Sequence, residues 1–170
     1  LVTAASPLPA HPSITTHAVE TAAEMAAAAG KLAGEADVAV FAAAVADFRP
    51  ASVHQVKLRR ADGPPRIEVE PTPDVMGGVA ASTAKPFIVG FAAETGSLER
   101  AKEKAVRPGV GLLVANDVTD PESGFGTDTN RVVLIEPDGT MEHLPLLSKW
   151  DVAMRILDEA AARIGEAAPL

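Results

Sequence analysis

Asp47 is the residue whose type and setting most invite chemistry. It closes the segment Phe41-Ala-Ala-Ala-Val-Ala-Asp-Phe-Arg-Pro50, which follows the apolar run Val38 to Ala43. An apolar run that breaks into small residues, one acid, one arginine and a proline reads as a buried parallel strand whose carboxyl end admits a ligand. The alanines at 42 to 44 leave room for that ligand beside the backbone. Asp47 sets an acceptor at the mouth, suited to a ribose hydroxyl or a metal-bound water. Ten residues on, Lys57-Leu-Arg-Arg60 supplies cations for an anion. The same residues also describe a strand, a turn and a solvated basic edge strand, and spacing alone does not separate the two readings.

Two further strand ends carry polar groups: Glu94-Thr95 after Phe87 to Phe91, and Asn116-Asp117 after Gly111 to Val114. Ligands of open α/β sheets bind outside the carboxyl ends of the strands. Three such ends therefore define a candidate cleft, without specifying a reaction.

Positioning these residues requires alternating strands and helices. Leu1 to Ala4 reads as a strand, Pro7 to Pro12 as a loop and Ile14 to Val19 as a short β-like run. Thr21-Ala-Ala-Glu24 is a capping box opening an alanine-rich helix to about Ala33. Val56 to Arg59 and Ile67 to Val69 flank Asp62-Gly-Pro-Pro65 and predict a hairpin. Thr72-Pro-Asp74 offers an N-cap, a proline at the first position and an acid in the first turn of a short helix. Leu98 to Val106 reads as a helix, Gly111 to Val114 as a strand and Asn116 to Asn130 as a long polar loop. Arg131 to Ile135 and Met141 to Leu144 pair around Pro137-Asp-Gly139, and Ser148 to Ile164 is a final helix. This order predicts an α/β fold: a three-layer, Rossmann-like (ribokinase-like), mostly parallel sheet with antiparallel β additions. One domain spans residues 1–164, and 165–170 reads as a frayed tail.

The composition agrees. The chain has 170 residues, 47% of them hydrophobic, enough for one core of useful size. There is no run of 18 apolar residues to span a membrane, and the opening residues lack the basic region of a signal peptide. Cysteine is absent, which excludes disulfides and thiolate chemistry and fits a cytoplasmic location. The net charge is −8, from 23 acidic and 15 basic residues, so no nucleic-acid footprint is expected. Histidines 11, 17, 54 and 143 show no metal spacing and read as surface or structural.

The order of the segments carries a resemblance. Thr21-Ala-Ala-Glu-Met25, Ala42-Ala-Ala-Val-Ala-Asp-Phe-Arg-Pro50, Lys57-Leu-Arg-Arg60, Pro71-Thr-Pro-Asp-Val75, Val89-Gly-Phe-Ala-Ala-Glu-Thr95, Leu113-Val-Ala-Asn-Asp117 and Gly124-Phe-Gly-Thr-Asp-Thr-Asn130 run in register from about residue 15 to residue 160. Together they resemble the phosphopantothenate–cysteine ligase domain of the bifunctional coenzyme A biosynthesis protein, also called phosphopantothenoylcysteine synthetase. The resemblance implies a reaction of coenzyme A biosynthesis. CTP activates the carboxylate of 4′-phosphopantothenate as an acyl-cytidylate with release of pyrophosphate, and the amine of cysteine then displaces CMP. It implies Mg²⁺ with CTP and a homodimer paired through the β additions. FMN belongs only to a fused decarboxylase domain that lies ahead of this one in bacterial relatives and is not in this sequence.

Residue by residue, the resemblance makes Lys57 the catalytic lysine, contacting phosphate and transition-state charge. Asp47 matches the acid that contacts the nucleotide. Phe41, Ala42 and Ala43 match the backbone lining its pocket, and Pro73, Asp74, Val75 and Met76 match a helix start whose amides hold an anion or a base edge. Phe91 matches an aromatic that stacks on the pyrimidine, and Lys104 matches the first of two lysines on the following helix. The second lysine position holds Pro108, and adjacent Arg107 offers a replacement charge. The family's opening βα unit, with its Gly-Gly-Thr turn and Asn-x-Ser-Ser-Gly segment, is also missing from these residues, so the chain is expected to be an N-terminally truncated form. Two alternatives remain: a non-catalytic nucleotide-binding or dimerisation fragment, and a dinucleotide-binding oxidoreductase domain. The second rests on Gly109-Val-Gly-Leu-Leu-Val114, which precedes a strand where the fingerprint should follow one.

Overall fold

A computed structural model describes residues 1–5, 11–52, 55–60, 63–84, 86–123 and 126–167. His54, Asp62, Gly124, Phe125, most of the loop placed at 7–12 and the last three residues of the tail lie outside the described residues.

Near-continuous apolar runs, buried on both faces, build the central sheet. Strands β3 (Val38–Phe41), β6 (Phe87–Glu94) and β7 (Leu112–Asp117) run parallel, and β9 (Val132–Ile135) and β10 (Met141–His143) extend the sheet antiparallel, in the order β10-β9-β7-β6-β3. Val89 pairs with Leu112 and Phe91 with Val114. Side chains on successive residues point to opposite faces, so each strand feeds two cores. On one face Val89, Leu112, Val114 and Val132 pack against Val152 and Ile156 of α4 (Lys149–Ala167). On the other, Ala92, Leu113 and Ala115 meet Ala101 and Ala105 of α3 (Glu99–Ala105). On that same face Ile88 meets Val79 of α2 (Val75–Ala80) and Ala33, beside α1 (Ala22–Leu32). The result is the expected α/β sheet between helical layers.

The capping box forms as read: Thr21 Oγ1 accepts from the Glu24 N–H at 3.1 Å, and Glu24 Oε2 accepts from the Thr21 N–H at 3.2 Å. These bonds hold the Glu24 carboxyl below its ordinary range, the backbone of Glu20 and Thr21 contributing most. Ser148 Oγ accepts the Asp151 N–H at 3.0 Å at the start of α4, and that helix continues through Ala167, beyond the boundary placed at residue 164. The β9–β10 hairpin turns at Gly139, whose φ of 89° is open to glycine.

Several boundaries differ from the sequence reading. The central strand ends at Phe41, not Ala43. The first strand shrinks to β1 (Val2–Thr3), which pairs in parallel with β2 (His17–Ala18). The expected hairpin of Val56–Arg59 with Ile67–Val69 does not form. Instead β4 (Phe48–Pro50) pairs antiparallel with β5 (Val69–Pro71), closed by an Arg49–Glu70 ion pair at 2.7 Å. The pairing partner is the strand that leaves Asp47, whose far end the proline at 50 had disguised as a turn. The N-cap of α2 is Asp74, not Thr72. Short strand β8 (Thr129–Asn130), at the end of the expected loop, pairs antiparallel with β11 (Leu147–Ser148), which runs into the expected start of the last helix. Among the described residues, no helix is long and apolar enough to cross a membrane.

Candidate functional site

A cleft of about 290 Å³ opens at the carboxyl end of β3. Phe41, Ala43, Val45, Ala46 and Asp47 form one wall, and Thr72, Pro73, Asp74, Val75 and Met76 the wall opposite. Phe91, Lys104 and Arg107 close it, with Met25 reaching in from α1. Residues far apart in sequence are brought together because β3 and β6 are parallel neighbours and α2 and α3 cover the same face.

Thr72 fixes the two walls to each other. Its backbone N–H donates to the Asp47 carbonyl at 2.9 Å, and its hydroxyl donates to the Ala46 carbonyl. Sequence reading assigned Thr72 to a helix cap and missed this clamp; its place directly after β5 was the available signal. Asp74 caps α2 by accepting the Gly77 N–H on Oδ1 at 2.9 Å, while Oδ2 meets Arg107 Nη1 at 3.1 Å. Lys104 Nζ lies 4.0 Å from the buried carboxylate of Glu94. The cleft thus holds two cations, Lys104 and Arg107, two acids, Asp47 and the Arg107-paired Asp74, and two aromatics, Phe41 and Phe91, a set that offers charge for a phosphate and a ring to stack.

Most of the expected site residues meet here: Phe41, Ala43, Asp47, Pro73, Asp74, Val75, Met76, Phe91 and Lys104. Arg107, offered as a substitute for the lysine missing at Pro108, lines the same cleft. Ala42 points into a neighbouring cleft. Lys57 is exposed on the segment between β4 and β5 and is not among the lining residues. That segment is rooted at the cleft, since β4 starts next to Asp47 and β5 ends next to Thr72.

The three polar strand ends do not share one cleft. Asp47 lines the first. Asn116 faces a second, of about 510 Å³, on the α4 side of the sheet. Glu94 and Asp117 border a third, of about 270 Å³. The two-residue period of a strand separates Asn116 from its neighbour Asp117. Asp117 is committed to a local turn: Oδ1 accepts from Thr119 Oγ1 at 2.6 Å and from the Thr119 N–H at 2.8 Å, and the Thr119 hydroxyl foremost holds this carboxyl below its ordinary range.

Gly109 and Gly111 do not form a phosphate loop. They lead into β7, and a Cβ on Gly109 would lie 2.8 Å from the Ala80 carbonyl oxygen and one on Gly111 2.5 Å from the Phe87 ring. Close packing accounts for both glycines. Among the described residues there is also no group of three or more acidic or imidazole side chains able to hold a metal. A magnesium ion held mainly by phosphate oxygens and water needs only one or two carboxylates, and Asp47 and Asp74 at the cleft meet that need.

The fold is a Rossmann-like α/β domain with a cleft at the carboxyl ends of its parallel strands. The chain belongs to the DNA/pantothenate metabolism flavoprotein C-terminal domain family, which matches residues 1–164. It is 39% identical over 145 residues to the coenzyme A biosynthesis bifunctional protein CoaBC of Bacillus subtilis (strain 168), covering 85% of this chain and 36% of that protein. It is 37% identical over 171 residues to CoaBC of Escherichia coli (strain K12), covering 98% of this chain and 42% of that protein. The chain therefore spans about two fifths of the length of these relatives. The crystal structure of the C-terminal domain of CoaBC matches with a TM-score of 0.73 at 34% identity, over 94% of this chain and 74% of that one.

Proposed function

We propose that this chain carries the ligase step of coenzyme A biosynthesis, joining 4′-phosphopantothenate to cysteine at the expense of CTP. The carrying observation is the first cleft, which gathers Asp47, Phe91, Lys104 and Arg107 around the strand end and the start of α2. In the reaction a carboxylate oxygen attacks the α-phosphorus of CTP, and the bond to pyrophosphate breaks. The cysteine nitrogen then attacks the acyl carbon, CMP leaves with the carboxyl oxygen, and the amine loses a proton.

Each residue has a part in that scheme. Phe91 stacks on the pyrimidine, and Asp47 accepts a ribose hydroxyl. Lys104 and Arg107 offset triphosphate charge, which Mg²⁺ bound to the same phosphates shares. Lys57 adds charge where it develops in the transition state, from the segment whose two ends are anchored beside Asp47 and Thr72. Preplaced charge of this kind typically contributes about 2.7–4 kcal/mol. The protein acts as a homodimer in the cytoplasm.

The test is a thermal-shift series with CTP, ATP and NAD in Mg²⁺, followed by pyrophosphate release on adding 4′-phosphopantothenate and cysteine. CTP should stabilise most, and pyrophosphate release should require the acid. Greater stabilisation by NAD would overturn the reading. Nucleotide binding without any acid-dependent release would leave a non-catalytic binding module.

A further inference from the structure

Glu94 ends β6 and has no part in the scheme above. It is the one buried charged side chain among the described residues, 8% exposed. It alternates with Ala92 along the strand and so stands on the face that packs against Ala101 and Ala105 of α3. Both alanines are fully buried, and their small size lets the helix lie close to the sheet. Lys104 follows Ala101 by one turn of that helix.

The other acids near Glu94 are committed elsewhere. Asp117, opposite it in the ladder, accepts from the hydroxyl and the N–H of Thr119. Asp120 pairs with Arg131 at 2.7 Å. Lys104 is the cation that meets the Glu94 side chain, with Nζ 4.0 Å from Oε1, and no other partner of this carboxylate occurs among the described residues. The same lysine lines the first cleft. Glu94 does not line it and borders the third cleft behind.

Two consequences follow from burial and distance. A buried carboxylate without a compensating cation is costly, so the ammonium is held close to Glu94. Yet 4.0 Å exceeds the N–H···O range of about 2.7–3.2 Å. The attraction is Coulombic and consumes no donor, which leaves the three ammonium protons for the cleft. Arg107 is held differently: one of its N–H groups is given to Asp74, which is 58% exposed in its side chain.

We propose that Glu94 is a positioning residue, whose buried charge pins the Lys104 ammonium at the wall of the first cleft with its donors free for the phosphates of a ligand. The assignment rests on the nucleotide reading of that cleft and acts through Lys104 alone.

Calorimetric titration of CTP·Mg²⁺ into the unmodified chain, Glu94→Gln, Lys104→Met and the double variant tests it. Lys104→Met should weaken CTP about tenfold, the loss of one charged contact. Glu94→Gln keeps the shape and removes the charge, and should weaken CTP about fivefold. The double variant should match Lys104→Met within about twofold, because Glu94 has no lysine left to hold. A merely structural Glu94 would instead weaken CTP by the same factor with or without Lys104, and that result overturns the proposal. So does unchanged CTP affinity in Glu94→Gln beside a weakened Lys104→Met, which leaves the nucleotide reading standing. If Glu94→Gln fails to fold, Glu94→Asp decides: it keeps the charge, draws it back by one methylene, and should bind CTP less tightly than the unmodified chain and more tightly than Lys104→Met. Unchanged affinity in Glu94→Asp overturns the proposal. Failure of the unmodified chain to bind CTP overturns the proposal and the nucleotide reading together.

Discussion

Arg107 Nη1 lies 3.1 Å from Asp74 Oδ2, which ties the turn after α3 to the N-cap of α2 across the first cleft. The side chains are 50% and 58% exposed, so the pair contributes only about 0–1 kcal/mol to stability. A phosphate chain entering the cleft therefore competes for Arg107 at little cost, while Asp74 keeps its cap on Gly77. Arg107→Ala should weaken CTP about tenfold while changing CMP less than about threefold, because the terminal phosphates carry most of the charge. Titrations of the two nucleotides check this. An equal loss for both would place Arg107 away from the terminal phosphates.

Two glycines separate backbone conformation from packing. Gly109 and Gly139 have nearly the same φ, 88° and 89°. A Cβ on Gly139 meets nothing within 4 Å, whereas one on Gly109 lies 2.8 Å from the Ala80 carbonyl oxygen. Gly139→Ala should cost about 1–2 kcal/mol, the left-handed penalty alone. Gly109→Ala should cost more, since the obstacle is backbone at the end of α2. Equal losses in urea unfolding would show that the end of α2 yields freely.

What was legible in the sequence follows from which interactions are local. The Thr21–Glu24 box and the Gly139 hairpin each lie within a few residues and formed where read, and the last helix starts at Ser148 as expected. The unbroken apolar runs Phe87 to Phe91 and Gly111 to Val114 marked the parallel strands, because burial on both faces leaves near-continuous apolar runs. The pairing of β4 with β5 was not legible. Phe48, Arg49 and Pro50 make too short a strand signal, ended by a proline, and their partner lies about twenty residues away in the chain. The division of the polar strand ends among three clefts was likewise hidden, because it depends on which face each side chain takes. Lys57 was named through the resemblance; its exposed position on the segment between β4 and β5, off the lining of the first cleft, depends on the β4–β5 pairing and so was not legible.

The β4–β5 arm has two unlike faces. Pairing of Phe48 with Pro71 and of Pro50 with Val69 sets four apolar side chains together, opposite the Arg49–Glu70 ion pair. Phe48 is 62% exposed and Val69 58%. A two-stranded ribbon is marginal alone, so a second copy covering this face would stabilise it. Phe48→Asp should convert a dimer to a monomer in sedimentation, and Arg49→Ala should not. A monomeric unmodified chain at all concentrations would remove the arm as a pairing surface.

Glu159 gives the fold a pH dependence of known sign. It accepts from Arg155 Nη1 at 2.9 Å and from Arg163 Nε at 3.0 Å. The same arginines reach Glu142 and Glu136, both at 2.6 Å, and so lock α4 onto β10 and the turn after β9. The hydrogen bond from Arg155, then that from Arg163, holds the Glu159 carboxyl below its ordinary value of about 4.5. A carboxyl depressed in the folded state adds stability above its unfolded value, and that stability is lost as pH falls through the folded one. Glu159→Gln should therefore be less stable than the unmodified chain by about 1 kcal/mol at neutral pH. The gap should begin to close as pH drops through the ordinary glutamate range and should be smallest in strong acid. Urea unfolding of both proteins across that range measures it. A gap that stays constant with pH would mean that Glu159 contributes packing alone.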